Sequence, residues 1–174
     1  MIKKLVITAV AALCCIFASN AQSTEISVSY GGYTQMDATN MHDGWGGVNT
    51  AWGALNLGVN FRITPRIWIG PSYTFSSTST KGPDASHIAY HVIMFNGRYE
   101  YYRNSIVRVY AHLGVGCDLS YMQPSWRDNY TKGYFAFQAS PIGAQVDLSR
   151  NWSIFGEAGF GAQGIIQVGA RLRL

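Results

Sequence analysis

Apolar and polar side chains alternate with period two along most of the chain, the spacing of strands whose two faces meet different surroundings. Ile26, Val28 and Tyr30 alternate with Ser27, Ser29 and Gly31. From 51 to 63, Leu55, Leu57, Val59, Phe61 and Ile63 share one face; Trp52, Ala54, Asn56, Gly58, Asn60 and Arg62 share the other. A third strand sets Ile67, Ile69, Tyr73 and Phe75 against Gly70, Ser72, Thr74 and Ser76. Pro71 lies on its apolar face and lacks an N–H for the ladder, which predicts a bulge there. Near 87–101, placing Ile93, Phe95, Tyr99 and Tyr101 on the apolar face puts Asn96, Arg98 and Glu100 on the polar one. The fifth strand, near 105–120, is the most regular. Val107, Val109, Ala111, Leu113, Val115, Cys117 and Leu119 oppose Arg108, Tyr110, His112, Gly114, Gly116 and Asp118. Phe135, Phe137 and Ala139 open a sixth strand whose phase slips at Ser140-Pro141, since Ile142, Ala144, Val146 and Leu148 are apolar afterwards; a second bulge is expected there. Two more strands carry Trp152, Ile154, Ala158 and Phe160 against Ser153 and Glu157, then Ile166, Val168, Ala170, Leu172 and Leu174 against Gln167, Gly169, Arg171 and Arg173.

The strands number eight, and their connections alternate in length. Those near 64–66, 102–104 and 149–151 are tight; those near 34–50, 77–86 and 121–131 are longer and polar; the last, near 161–163, is short. The short fourth loop implies no projecting hairpin fin. An even number of antiparallel strands with short turns at one end and loops at the other is the plan of an up-and-down barrel.

Composition decides which solvent the apolar face meets. Charged residues are 13% of the chain and aromatics 14%, with 19 glycines. A soluble β-sandwich or lipocalin-like barrel would expose its polar face, yet that face here is Gly, Ser, Ala and Asn, without the Lys, Glu and Thr of a solvated sheet. Past the N-terminus no run of about 20 apolar residues is long enough for a membrane helix. A closed barrel is the other structure a bilayer allows. Tyr30, Tyr33, Trp52, Tyr73, Tyr99, Tyr101, Tyr102, Tyr121, Trp126, Tyr134 and Trp152 lie near strand ends, as interface girdles do.

The first residues give the address. Lys3 and Lys4, an apolar run from Leu5 to Phe17 and the small-residue site Ala18-Ser19-Asn20-Ala21 have the three parts of a secretory signal peptide. Residues 1–21 are expected to be removed, leaving 22–174 as the barrel domain. Leu13 and Cys14 stand where a lipoprotein needs a small residue before its lipidated cysteine, so Cys14 and Cys15 are read as part of the leader. Cys117 is then the only cysteine left, and no internal disulfide forms. Losing Lys3 and Lys4 lowers Lys+Arg from 13 to 11 against 9 Asp+Glu, a net charge of +2. Such a balance has no basic patch for nucleic acid.

The chain ends Gln167-Val-Gly169-Ala-Arg-Leu172-Arg-Leu174. This looks like the C-terminal β-signal read by the barrel-assembly machinery, with Leu174 where an aromatic is common. The stretch Ser140 to Gly161 resembles small outer-membrane barrel-domain proteins of the porin-family type, and the whole segment after the leader resembles the OmpA/OmpX type of eight-stranded barrel. The resemblance implies an all-β, eight-stranded antiparallel up-and-down transmembrane β-barrel in a cell outer membrane. Its expected partners are outer-membrane lipid and, during biogenesis, the assembly machinery through Gln167, Gly169, Leu172 and Leu174. A monomer is expected; the resemblance names no extracellular partner.

An eight-stranded barrel has an interior that side chains fill. The inward set Arg62, Arg98, Glu100, Arg108, His112, Asp118, Glu157, Arg171 and Arg173 must therefore pair within it. A structural network is the favoured reading of these residues; a gated pore is the other. His112 and Glu157 are a base and a carboxylate, but both face inward. His91 and Ser86-His87 have no acid at a useful spacing, so no catalytic set is expected. Met41-His42-Asp43 is too small a donor set for a metal, and no cofactor motif is present. The function expected is non-enzymatic, structural or surface-interacting through the external loops, with a narrow porin-like channel for small solutes as the alternative.

Overall fold

The computed structural model describes residues 23–39, 47–81, 86–124 and 128–174; the expected leader, Trp126 and the Met41-His42-Asp43 set lie outside them. The elements in order are β1 (Thr24–Gly32), α1 (Gln35–Thr39), β2 (Ala54–Arg62), β3 (Ile67–Ser79), β4 (His87–Arg103), β5 (Val107–Gln123), β6 (Tyr130–Asp147), β7 (Trp152–Gly161) and β8 (Ile166–Arg173). Each strand pairs antiparallel with the next, and β1 pairs with β8, so the sheet closes into an all-β, eight-stranded up-and-down barrel. Closure leaves no sheet edge around the girth of the barrel, the condition for placing strands in lipid.

Side-chain chemistry at the three tight turns explains where the strands reverse. Thr64 Oγ1 accepts from the Ile67 N–H at 3.1 Å. Asn104 Oδ1 accepts from Ile106 and Val107 at 2.8 and 2.6 Å, and Ser149 Oγ accepts from Trp152 at 3.1 Å. Each side chain takes the place of a backbone acceptor, which is why these residue types favour turns over continued strand.

The two faces follow the period-two pattern. On β5, Leu113 and Val115 are 65% and 58% exposed while Arg108 and Tyr110 are 3% and 0%. On β4 the chosen phase holds: Phe95, Tyr99 and Tyr101 are exposed, and Asn96, Arg98 and Glu100 are buried. The slip at Ser140-Pro141 is a bulge on β6. Its pairing with β5 steps from Gly143 to Ser140 while β5 advances only from Tyr110 to His112, and Pro141 and Ile142 are both exposed.

Three expectations are corrected. No bulge forms at Pro71: β3 pairs with β4 in continuous register through Pro71↔Phe95, and its pairing with β2 resumes in the same register after Gly58↔Ser72. The missing N–H omits a bond without adding a residue. Trp52 is exposed outside the barrel, not inward, because Gly53 with φ +115° reverses the phase just before β2. Finally, the rim does project. β5 and β6 stay paired up to Met122↔Tyr130, whereas β6 and β7 part after Gln138↔Gly161. The overhang comes from long strands and owes nothing to the fourth loop.

The interior is layered. At the loop end Met36, Val48, Ile88, Tyr90, Val92, Met94, Met122, Ala136 and Ala162 form an apolar cluster. Its Met36 comes from α1, which lies across the mouth. Thr34 and Asp37 fix that helix: the Asp37 carboxylate accepts from the Thr34 N–H (2.8 Å), the Thr34 hydroxyl (2.9 Å) and the Ala51 N–H (2.7 Å). Gln35 clasps the free upper edge of β6, donating to the Phe135 carbonyl at 3.0 Å and accepting from the Phe137 N–H at 3.2 Å. The short β7–β8 loop also turns inward. Gly161 and Gly164 take φ of +139° and +106°, and Gln163 donates to Ser72 Oγ on the far wall at 2.9 Å.

Candidate functional site

The charged side chains gather at the end opposite the loops, where the tight turns lie. Glu25, near the start of β1, is fully buried at their centre. Its Oε1 accepts from Arg98 Nη1 at 2.7 Å and lies 3.5 Å from Arg171 Nε; its Oε2 is 3.7 Å from Arg173 Nη2. Glu100 stands 3.6 Å from Arg98 and 3.8 Å from Arg108. Arg108 donates to Asp147 at 2.6 Å, and Asp147 accepts from Gln145, which accepts from Arg171 at 2.7 Å. Arg171 closes the circuit by donating to Glu157 at 3.0 Å.

Aromatic rings separate the guanidinium groups. Arg98 lies 4.8 Å from the Trp68 ring and 5.3 Å from that of Tyr110. Arg171 lies 4.8 Å from Tyr110 and 3.7 Å from Phe155. Ring faces attract cations strongly when water is excluded. Within this layer Arg98, Arg108, Arg171 and Arg173 face Glu25, Glu100, Asp147 and Glu157, and Arg103 reaches Glu100 at 3.9 Å, so every carboxylate has a cation beside it. Buried charges paired in this way avoid the penalty of an isolated ion.

Above them comes a layer richer in hydroxyl and amide groups. Glu157 accepts from the Tyr110 hydroxyl at 2.9 Å and bonds His112 Nδ1 at 2.8 Å. Then Asn56 bonds Ser29, Thr74 and the Gln163 carbonyl, and Gln138 bonds Ser140 and the Gly164 carbonyl. A cavity of about 40 Å³ remains here, lined among others by Asn56, Asn96, His112, Glu157, Gln163 and Gln167. That is room for a few waters.

Of the residues read from sequence as lumen groups, Arg98, Glu100, Arg108, His112, Glu157, Arg171 and Arg173 meet in this network. Arg62 does not join it and makes no ion pair among the described residues. Asp118 is buried apart from it, in the apolar layer, accepting from Ser120 at 2.8 Å. Sequence reasoning missed Glu25, Asp147 and Gln145. The signal for Glu25 was present, since it holds the inward phase two residues before Ser27. Trp68 was missed as well, although it shares the phase of Gly70 and Ser72.

His112 and Glu157 do not extend into a catalytic set. Ser140, the cross-strand partner of His112, accepts from Gln138 instead, and no hydroxyl is bonded to His112 among the described residues. Nor do the described residues hold a cluster of three or more metal-ligating side chains. Gln167 faces the lumen beside Ser29, Gly169 packs against the β1 backbone, and Leu172 and Leu174 lie at the tight-turn end of β8.

Comparisons bear on this geometry. The sequence matches the family described as outer membrane protein beta-barrel domain over residues 6–164. No curated protein matches it in sequence. Among solved structures, the attachment invasion locus protein Ail of Yersinia pestis, in complex with the heparin analogue sucrose octasulfate, superimposes with a TM-score of 0.54 at 14% identity. That match covers 87% of this chain and 97% of Ail. A transmembrane β-barrel designed de novo gives 0.50 at 11% identity, covering 88% and 97%. At these identities the likeness is one of fold.

Proposed function

Because the chain belongs to the outer membrane protein beta-barrel domain family, we propose that it is a non-enzymatic outer-membrane barrel that acts through its external loops, as a structural or surface-interacting protein. The observation that carries this reading is the filled interior. An ion-paired layer, an amide layer with about 40 Å³ of free space and an apolar layer succeed one another along the axis. A solute passing through would have to break the first, displace the Gln163 crossing and part the last. A narrow porin-like channel is the competing reading. Conductance of the refolded protein in a planar bilayer separates the two: the proposal expects silence, and steady unitary channels would overturn it.

The same proposal includes export with removal of residues 1–21, insertion by the barrel-assembly machinery through Gln167, Gly169, Leu172 and Leu174, and a monomer in the membrane. The exposed Leu113, Val115, Phe135, Ile154 and Val168 series support lipid contact on the outer face, since water-facing strands would carry polar groups at these positions.

A further inference from the structure

The outer face has one conspicuous gap. Gly97 on β4 lies in the outward phase between Phe95 and Tyr99, and a Cβ built on it would meet nothing within 4 Å. Ile67, Ile69, Phe95, Tyr99, Leu113 and Val115 wall the resulting apolar groove, which has a volume of about 420 Å³. One end is level with Ile67↔Tyr99↔Ala111 and the other with Pro71↔Phe95↔Val115. Four residues at about 3.3 Å each, on strands tilted near 40°, give a vertical extent of about 10 Å. The groove begins close to the tight turns, so it spans much of one leaflet, whose hydrocarbon depth is about 15 Å.

Directly beneath the groove the chemistry changes. Tyr101 and Tyr102 are exposed, as rings at the headgroup level are. Arg66 in the β2–β3 turn is exposed, and Arg103 at the end of β4 donates to the Pro65 carbonyl at 3.3 Å, which holds its guanidinium beside that turn. Arg103 stands in the inward phase opposite Arg108 and reaches the lumen carboxylate of Glu100 at 3.9 Å, so Arg66 is the arginine exposed at this outer rim. Apolar groove, aromatic rim and the exposed Arg66 follow one another in the order of an acyl chain, a glycerol backbone and a phosphate.

We propose that this groove is a binding site for one phospholipid of the periplasmic leaflet, its acyl chain seated over Gly97 and its phosphate held by Arg66. The inference rests on the outer-membrane reading above, which sets the tight turns in the periplasm. The level of the groove excludes a lipid of the opposite leaflet. A second copy of the chain fits poorly, because a two-fold contact would set one hollow against the other. Arginine suits the phosphate, since its planar fork makes two parallel hydrogen bonds to such oxygens.

The test is native mass spectrometry of the full chain, purified from membranes, delipidated and titrated with palmitoyl-oleoyl phosphatidylglycerol. One retained lipid per chain is expected. Gly97→Leu has room for its Cβ and fills the groove between its walls, and it should weaken retention about tenfold, a change of one decade in the dissociation constant. Arg66→Gln should weaken it to a similar degree, and it tests the headgroup end independently if Gly97→Leu folds poorly. Ala144→Leu, on the exposed face of β6, should leave retention unchanged. Equal retention by wild type and both groove variants, equal loss in the Ala144→Leu control, or a dimer in place of the adduct would overturn the site. Insertion of wild type into vesicles, scored by protease protection, is measured alongside. Failure to insert would overturn the membrane reading; insertion without a retained lipid would overturn the site alone.

Discussion

Arg98 donates to Glu25 at 2.7 Å from a strand three places around the barrel, so this bond braces two walls that share no ladder. Both partners are buried, and Glu25 also faces Arg171 and Arg173. Removing its charge leaves three guanidinium groups around a neutral side chain. Glu25→Gln is expected to lower unfolding stability by about 3–5 kcal/mol, the usual cost of breaking a buried pair on one side. Replacing both partners, Glu25→Leu with Arg98→Met, should cost less than Glu25→Gln alone. Equilibrium urea unfolding of the refolded barrel in vesicles measures both.

The outer face offers a second measurement. Leu113 sits mid-strand on β5, 65% exposed and opposite Gly97 and Ala139. Leu113→Arg is expected to cost up to about 2–4 kcal/mol, the range for arginine at the bilayer midplane, from which the cost falls toward either interface. The inward neighbour Gly114 is not a neutral control, since a Cβ there would come within 2.2 Å of Asn96 Oδ1. Spin labels are cleaner. In a Cys117→Ser background, a label at 113 should respond to lipid-soluble oxygen and be shielded from a water-soluble relaxation agent. A label at Asp128 should do the reverse, and an aqueous response at 113 would refute lipid contact.

Asp37 ties the mouth closed. Asp37→Ala removes the acceptor for Thr34 and Ala51 together, so α1 should lose its seat over the lumen. Hydrogen exchange at the Ala51 amide is expected to accelerate by one to two decades, about 1–3 kcal/mol of local stability. Exchange in mid-β5 should not change.

Glycines set the inward fold of the β7–β8 loop. A Cβ on Gly31 would lie 1.8 Å from the Gln163 carbonyl oxygen, which is backbone and cannot swing aside. Gly31→Ala should therefore unseat Gln163 from Ser72 and Asn56 and lower the melting temperature. Gly32→Ala, whose Cβ would meet nothing within 4 Å, should have little effect. Equal melting of the two variants would show that the loop does not depend on that close approach.

Export gives the remaining test. Intact mass of protein extracted from the outer-membrane fraction should correspond to a chain beginning at Gln22. Recovery in the soluble periplasmic fraction would contradict the address.

How legible all this was depended on contrast between faces. β5 and β8 alternate Val, Leu or Ala with Arg, Gln or Gly, so either phase error would place charge in lipid, and the pattern allows one answer. The β6 slip was visible because apolar residues change parity across Ser140-Pro141. The upper half of β4 was not readable in this way. Ile88, Tyr90, Val92 and Met94 are as apolar as Ala89, His91, Ile93 and Phe95, so nothing along the chain announces an apolar layer inside. Tyr110 was placed on the inward face, but its contact with two arginines was not legible, because the pattern along a strand does not say which inward side chains from distant strands meet; Trp68 was assigned to neither face. The Gln163 crossing depends on two glycines and a close approach between loops, neither of which leaves a periodic trace.

The β1–β8 ladder has a kinetic consequence. Its pairs, such as Glu25↔Arg173, join residues from opposite ends of the sequence, and contacts of such long range are slow to form. Both members of that pair belong to the ionic layer. Until the first and last strands meet, Glu25 has neither Arg171 nor Arg173 beside it, and the layer is short of its hub. Closing the seam and neutralising the charges are therefore one event, and a barrel with an open seam has little to hold it shut. Once joined, the same ladder should open only with the whole network, giving unfolding and refolding curves that do not retrace each other.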